Sequence, residues 1–209
     1  MKKAYLSNIF TLQFLGIFLV VLGHSIPDKN MPYFFHVLFR WIYSFHMPLF
    51  FSISGYLYKY GLPKYLSMGG KYFFINKFNR LIIPFIFLNL ITLPMKIIGK
   101  SFVYRDVGNN VIDYLSSFLY IENIPIGNLW FIVVLFHIFI IFFFLLPRGL
   151  EYRPLPVIVT FLLLYWMSVY LKNEYPIYNF LGIETSISNL LYFYIGMLIF
   201  QTKSEKNGI

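Results

Sequence analysis

The stretch that decides the fold is LWFIVVLFHIFIIFFFLL, residues 129–146, a run without a single charged side chain. A helix rises about 1.5 Å per residue, so about 20 such residues cross the ~30 Å hydrocarbon core of a bilayer. In lipid, backbone N–H and C=O groups find no water. A spanning run is therefore a helix unless its strands close into a barrel. Barrel strands alternate apolar and polar residues over about 10 positions, and this run does not alternate.

Working outward, comparable runs occupy 9–26, 38–58, 81–98, 155–171 and 187–201. The expected fold is all-α: a polytopic transmembrane helix bundle of about six spans, with residues 1–209 as a single transmembrane domain. Composition agrees, with 59% hydrophobic and 12% charged residues, against about 25% charged in soluble domains. Lys2 and Lys3 ahead of the first run mimic a signal peptide. No small-residue cleavage site follows, so the run reads as a retained helix.

Loop charge sets the expected orientation. With the N-terminus inside, the cytoplasmic segments hold Lys2, Lys3, Lys59, Lys64, Lys71, Lys77, Arg80, Arg148, Arg153, Lys203 and Lys206, eleven of the 17 basic residues. Asp28, Asp106, Asp113, Glu122, Glu174 and Glu184 fall on the other side. Lys and Arg collect in cytoplasmic loops, and an even number of spans brings the C-terminus back to the cytoplasm. The net charge of +9 thus reports topology in a cytoplasmic-type (inner) membrane rather than binding to nucleic acid. The basic loop at 59–80 is expected on the anionic inner leaflet. The long outer loop at 99–128 carries an interfacial or re-entrant segment at 111–120. Trp41 and Trp130 fit the interfacial aromatic belt.

Polar side chains inside spans are costly and each marks a functional hypothesis. Gln13 and His24 lie 11 residues apart, three helical turns plus about 20°, so they share one face about 16 Å apart along the axis. His46, in the second span, falls at a depth similar to that of His24 if the first two helices run antiparallel. Imidazoles suit proton transfer near neutral pH. They equally serve by bonding a neighbouring helix or reaching water, and that alternative stands for His137 as well. His36 reads as a solvated loop residue. The histidines lack local metal-ligand spacing and the chain has no cysteine, so no metal is expected. No Walker-type loop, G-x-G-x-x-G or G-x-S-x-G is present. Ser54-Gly55 reads as a packing notch between helices, and Pro48, Pro84 and Pro94 as kinks.

Four blocks, in order, resemble the membrane acyltransferase-3 family, and within it the sugar O-acetylase branch. LQFLGIFLVVLGHS (12–25) is similar to the family's first helix, in which an Arg precedes a His by 11 positions. SFHMPLFFSISGY (44–56) is similar to its F-H-x-P-L-F-F-x-x-S-G block. NKFNRLIIPF (76–85) is similar to K-x-x-R-L-x-x-P, and NLWFIVVLF (128–136) to the L-W-F block. The resemblance covers about residues 9–136, and the remainder by hydropathy alone.

It implies an acyltransferase, one moving groups other than amino-acyl groups from cytoplasmic acetyl-CoA to a hydroxyl of a sugar or envelope polysaccharide. It implies that His24 is the catalytic base and that His46, Ser54 and Gly55 support it. It implies that Lys77 and Arg80 contact phosphates of the acyl-CoA donor, as does the residue at position 13. There the chain departs from the family: Gln13 stands where a basic residue is expected. Family members also run to about ten spans, so the chain is expected to be incomplete at its C-terminal end, with a protein partner supplying helices. A catalytically impaired relative serving polysaccharide export or assembly is the competing reading. A small transporter is the third, disfavoured because no carboxylate falls well inside a predicted span.

Overall fold

The computed structural model describes residues 2–25, 32–98, 118–120, 126–149, 152–175 and 180–206. Its main elements are helices: α1 (Lys2–Ser25), α2 (Tyr33–Met68), α3 (Gly70–Lys77), α4 (Ile83–Ile98), α5 (Trp130–Ile140), α6 (Pro154–Glu174) and α7 (Ile183–Lys206). No strand occurs among the described residues, and Tyr120 and Phe180 form an isolated antiparallel bridge.

Among the described residues, three helical stretches are long and apolar enough to cross a membrane: Gly70–Thr92, Pro154–Leu171 and Ile183–Thr202. Two shorter apolar helices are Ile9–Gly23 and Trp130–Leu145. Exposed Leu155, Leu163, Trp166 and Tyr170 give α6 an apolar outer face of the kind lipid covers.

The expected basic loop at 59–80 is not a loop. Helix α2 continues to Met68, Gly69 turns the chain with φ 85°, and helix resumes at Gly70. A positive φ favours glycine because it carries no Cβ. The helix then widens to π geometry over Phe78–Ile82, where the Ile83 N–H bonds the Phe78 carbonyl. Pro84 explains the widening: it has no N–H for the Arg80 carbonyl, four residues back. Lys71, Lys77 and Arg80 therefore ride on a helical stretch of spanning length rather than in a loop. His36 is likewise helical, exposed in the first turn of α2, with its N–H 3.2 Å from the Pro32 carbonyl. The 111–120 segment lies outside the described residues except for a turn at 118–120.

The chain divides into two compact units. In the first, Met1–Gly61 with Leu191–Ile209, α1 and α2 are antiparallel. Ile9 clusters with Ile53 and Tyr56, a Cβ on Gly16 would sit 3.0 Å from the Phe50 ring, and one on Gly23 would sit 3.1 Å from Tyr43 and 3.2 Å from Ile42. On the other side of α2, two glycines bring backbones together. A Cβ on Gly55 would overlap the Phe193 carbonyl, and one on Gly196 would overlap the Ser52 carbonyl. Ser52 Oγ donates to the Tyr192 carbonyl at 2.9 Å across the same contact. Small residues admit such close approach where lipid removes any hydrophobic drive between helices. The notch read at Gly55 is thus a paired one.

The second unit, Leu62–Leu190, is built on aromatic packing. Phe73 stacks on Phe143 with centroids 4.0 Å apart and planes at 10°, and Phe85, Val134, Ile138, Phe139, Phe142 and Phe161 are also buried in this unit. Helix α5 ends in a π turn, Ile141–Leu145, before Pro147. Arg148 folds back to donate to the carbonyls of Phe142 (3.4 Å) and Phe143 (2.8 Å), closing groups the helix end leaves open.

Candidate active site

The α1–α2 register sets the backbone levels of the two motif histidines. As residue numbers climb from 9 to 16 to 23 on α1, their partners on α2 fall from 53 to 50 to 42 and 43. The His24 backbone follows directly on Gly23, at the level of Ile42 and Tyr43, and His46 is one turn from Ile42. Gln13, partly buried, lies one turn before Gly16, at the level between Ile53 and Phe50. The His24 side chain lies outside the described residues.

His46 is 5% exposed. Its Nδ1 lies 2.7 Å from the Ile42 carbonyl, and a carbonyl only accepts, so Nδ1 carries the proton and Nε2 is the basic nitrogen. Tyr43 presents its ring edge-on to the imidazole at 5.0 Å. A buried, tautomer-fixed imidazole beside a helix that carries a second one is an arrangement suited to moving a proton.

Lys77 and Arg80 differ in surroundings. The Lys77 ammonium sits over the Phe139 ring at 3.7 Å, with the Tyr65 ring at 5.1 Å and the Phe73 ring at 5.6 Å. The Tyr65 hydroxyl in turn donates to Asn76 Oδ1 at 3.4 Å. Arg80 is exposed. The two cations of the K-x-x-R block are therefore brought to one helix, where one is held by rings and the other is open to an anion.

Other polar groups were not singled out by sequence reasoning. Asn89, fully buried, donates to the Phe85 carbonyl at 2.9 Å and accepts the Ile126 N–H at 3.0 Å, tying α4 to the segment that begins α5. Its isolation in an apolar run was the available signal. Glu184 was expected in an outer loop, yet it is 8% exposed and stands at the start of a spanning-length helix. Ser188 Oγ lies 3.1 Å from its Oε1 and 2.8 Å from Ser168 Oγ of α6, and Thr185 Oγ1 lies 3.3 Å from its Oε2. The reason for this shift is that α7 starts four residues before the predicted run, recruiting a first turn whose hydroxyls satisfy the carboxylate. Ser54 is partly buried beside the Gly55 contact. Among the described residues no three His, Asp or Glu side chains converge as a metal site requires.

A family model described as an acyltransferase domain matches residues 8–207. Comparison with curated proteins and with solved structures finds no match to the chain.

Proposed function

The chain belongs to the membrane acyltransferase-3 family, and from that premise we propose that it moves an acetyl or other acyl group from acyl-CoA to a hydroxyl of a sugar or cell-envelope polysaccharide. What supports the reading is the antiparallel pairing of α1 and α2, the two helices that carry the motif histidines His24 and His46. In the proposed reaction, the acceptor oxygen attacks the thioester carbonyl. A C–O bond forms and the C–S bond breaks, while the hydroxyl proton passes to the His24 imidazole. The departing thiolate of coenzyme A takes up a proton to complete the exchange. His46 supports this step with its own basic Nε2.

Arg80 is the donor-phosphate contact in this scheme, because guanidinium groups pair well with phosphate oxygens and it is open to them. Gln13 offers a hydrogen bond but no charge to the donor. The protein works as a multi-pass protein of the cytoplasmic membrane, with its termini inside.

Gln13 also favours a second reading, an acyltransferase-like protein impaired in donor binding that serves polysaccharide export or assembly. One experiment separates the two. Purified protein in detergent is titrated with acetyl-CoA, comparing wild type, His24→Ala and Gln13→Arg. Saturable wild-type binding with thioester turnover lost in His24→Ala supports the enzyme. Binding seen in Gln13→Arg but not in wild type supports the impaired form. Folded protein that binds in neither case sinks the donor assignment.

A further inference from the structure

Gly23 stands one residue before His24, where α1 meets the turn of α2 that holds His46. It is buried. A Cβ at Gly23 would lie 3.1 Å from Tyr43 Cε2 and 3.2 Å from Ile42 Cγ2. Those two neighbours are the residues that hold the His46 imidazole. The Ile42 carbonyl lies 2.7 Å from its Nδ1, and the Tyr43 ring meets it with centroids 5.0 Å apart and planes at 79°. A hydrogen atom in place of a side chain on α1 thus faces both supports of a histidine on α2.

Neither neighbour gives way easily. Ile42 is 0% exposed. The Tyr43 ring is stacked on Phe39, with centroids 4.2 Å apart and planes at 28°, besides its contact with His46. Carbon atoms in an optimal contact stand about 3.5–4.0 Å apart, so a methyl group at position 23 pushes the Ile42–Tyr43 turn by roughly 0.3–0.4 Å. A movement of that size takes the His46 bond to about 3.1 Å, the long end of the hydrogen-bond range. That bond is what keeps the proton on Nδ1. Once it is weakened, the neutral imidazole carries its proton on either nitrogen.

Gly16 supplies a contrast on the same helix. It lies seven residues earlier, about 10.5 Å along the axis, and a Cβ there would lie 3.0 Å from Phe50 Cζ. The crowding is as tight, but the three nearest atoms all belong to the Phe50 ring. A ring tip moves aside by rotation about its side-chain torsions. It holds no bond of His46, although Phe50 is only one turn further along α2.

We propose that Gly23 is a positioning residue for His46: its bare Cα lets Ile42 and Tyr43 hold the imidazole with the proton on Nδ1 and the lone pair on Nε2. The use made of that lone pair rests on the acyltransferase reading above. The test needs no turnover. Protein labelled with ¹⁵N-histidine is studied in detergent micelles by NMR, where four histidines give a simple spectrum and His46→Gln assigns the signals of interest. The expected result is a protonated Nδ1 and a bare Nε2 in wild type, kept in Gly16→Ala and in Tyr43→Phe. In Gly23→Ala both nitrogen signals are expected to move toward the averaged position of a shared proton. Tyr43→Leu, which asks for no extra room, is expected to move them in the same direction, and it decides the test where Gly23→Ala yields no folded protein. A proton on Nε2 in wild type overturns the proposal. So does an unmoved His46 signal in Gly23→Ala, or in Tyr43→Leu where that variant stands in for it. An equal movement in Gly16→Ala overturns it too, because the effect would then be a general loosening of the helix pair. Acetyl-CoA binding is measured on the same samples. Wild type that fails to bind, with the Gly23 effect intact, loses the donor assignment and keeps the positioning; wild type that binds while His46 ignores Gly23→Ala does the reverse.

Discussion

Placing alanine at Gly55 and at Gly196 tests the backbone contact that joins α2 to α7 within the first unit. At Gly55 an added Cβ would lie 2.8 Å from the Phe193 carbonyl carbon and 3.1 Å from its Cα, and would overlap the carbonyl oxygen. At Gly196 it would lie 2.6 Å from the Ser52 carbonyl carbon and 2.9 Å from its Cα. The obstacles are backbone, which cannot swing aside as a side chain can, so the helices must separate. Separation by about 1 Å forfeits up to about half of the dispersion energy of each atom pair at the contact. It also stretches the Ser52 to Tyr192 hydrogen bond, worth about 0.6 kcal/mol in a membrane setting. Overpacking costs typically about 1–3 kcal/mol, and a backbone obstacle places each single variant at about 3 kcal/mol. One outward movement relieves both overlaps, because each glycine faces the other helix one turn along. The double variant should therefore cost little more than either single one, with a coupling of about 2–3 kcal/mol in its favour. Denaturation in mixed micelles of wild type, Gly55→Ala, Gly196→Ala and the double variant measures this cycle. Additive losses would show that each overlap relaxes locally, and wild-type stability in either single variant would show that the backbones do not meet; either result refutes the reasoning.

Two further outcomes follow from the second unit. Asn89→Leu removes the bonds of a fully buried amide to Phe85 and Ile126 and leaves the Ile126 N–H without that acceptor; a loss of about 1–3 kcal/mol is expected, read as a lower unfolding midpoint, and an unchanged midpoint would mean that the Asn89 link is not formed. Lys77→Met keeps the length of the side chain and its apolar packing among Tyr65, Phe73 and Phe139, so acetyl-CoA affinity should stay within about threefold of wild type. Arg80→Gln, by contrast, removes a charge-assisted phosphate contact worth about 1.5–3 kcal/mol, a loss of roughly 10- to 150-fold in affinity; equal losses in the two variants would show that both cations meet the donor.

The membrane character was legible in the sequence because it depends on run length and charge, which are local properties. The antiparallel pairing of α1 and α2 puts the His24 backbone near Ile42 and Tyr43, one turn from His46, because a fixed rise per residue sets depth along a helix axis. Gly55 could be picked out as a notch because a glycine in an apolar helix has few other uses. Element ends were less legible. The break at Gly69, the π turn before Pro84 and the early start of α7 shifted Lys71, Lys77, Arg80 and Glu184 from expected loops onto helices.

The rest was decided only in three dimensions. Lys77 was expected as a phosphate contact, and its aromatic surroundings appear only where Phe139, 62 positions away, lies against its ammonium. His137 read as a lone imidazole until Ser186, 49 residues on, came within 3.3 Å of its Nδ1. Gly196 has meaning only beside Ser52, and Asn89 only beside Ile126. Hydrophobic periodicity tells which face of a helix is apolar and how deep a residue lies. It does not tell which residue of a distant helix will meet that face, because rotation and register between helices are set by the packing of all of them together.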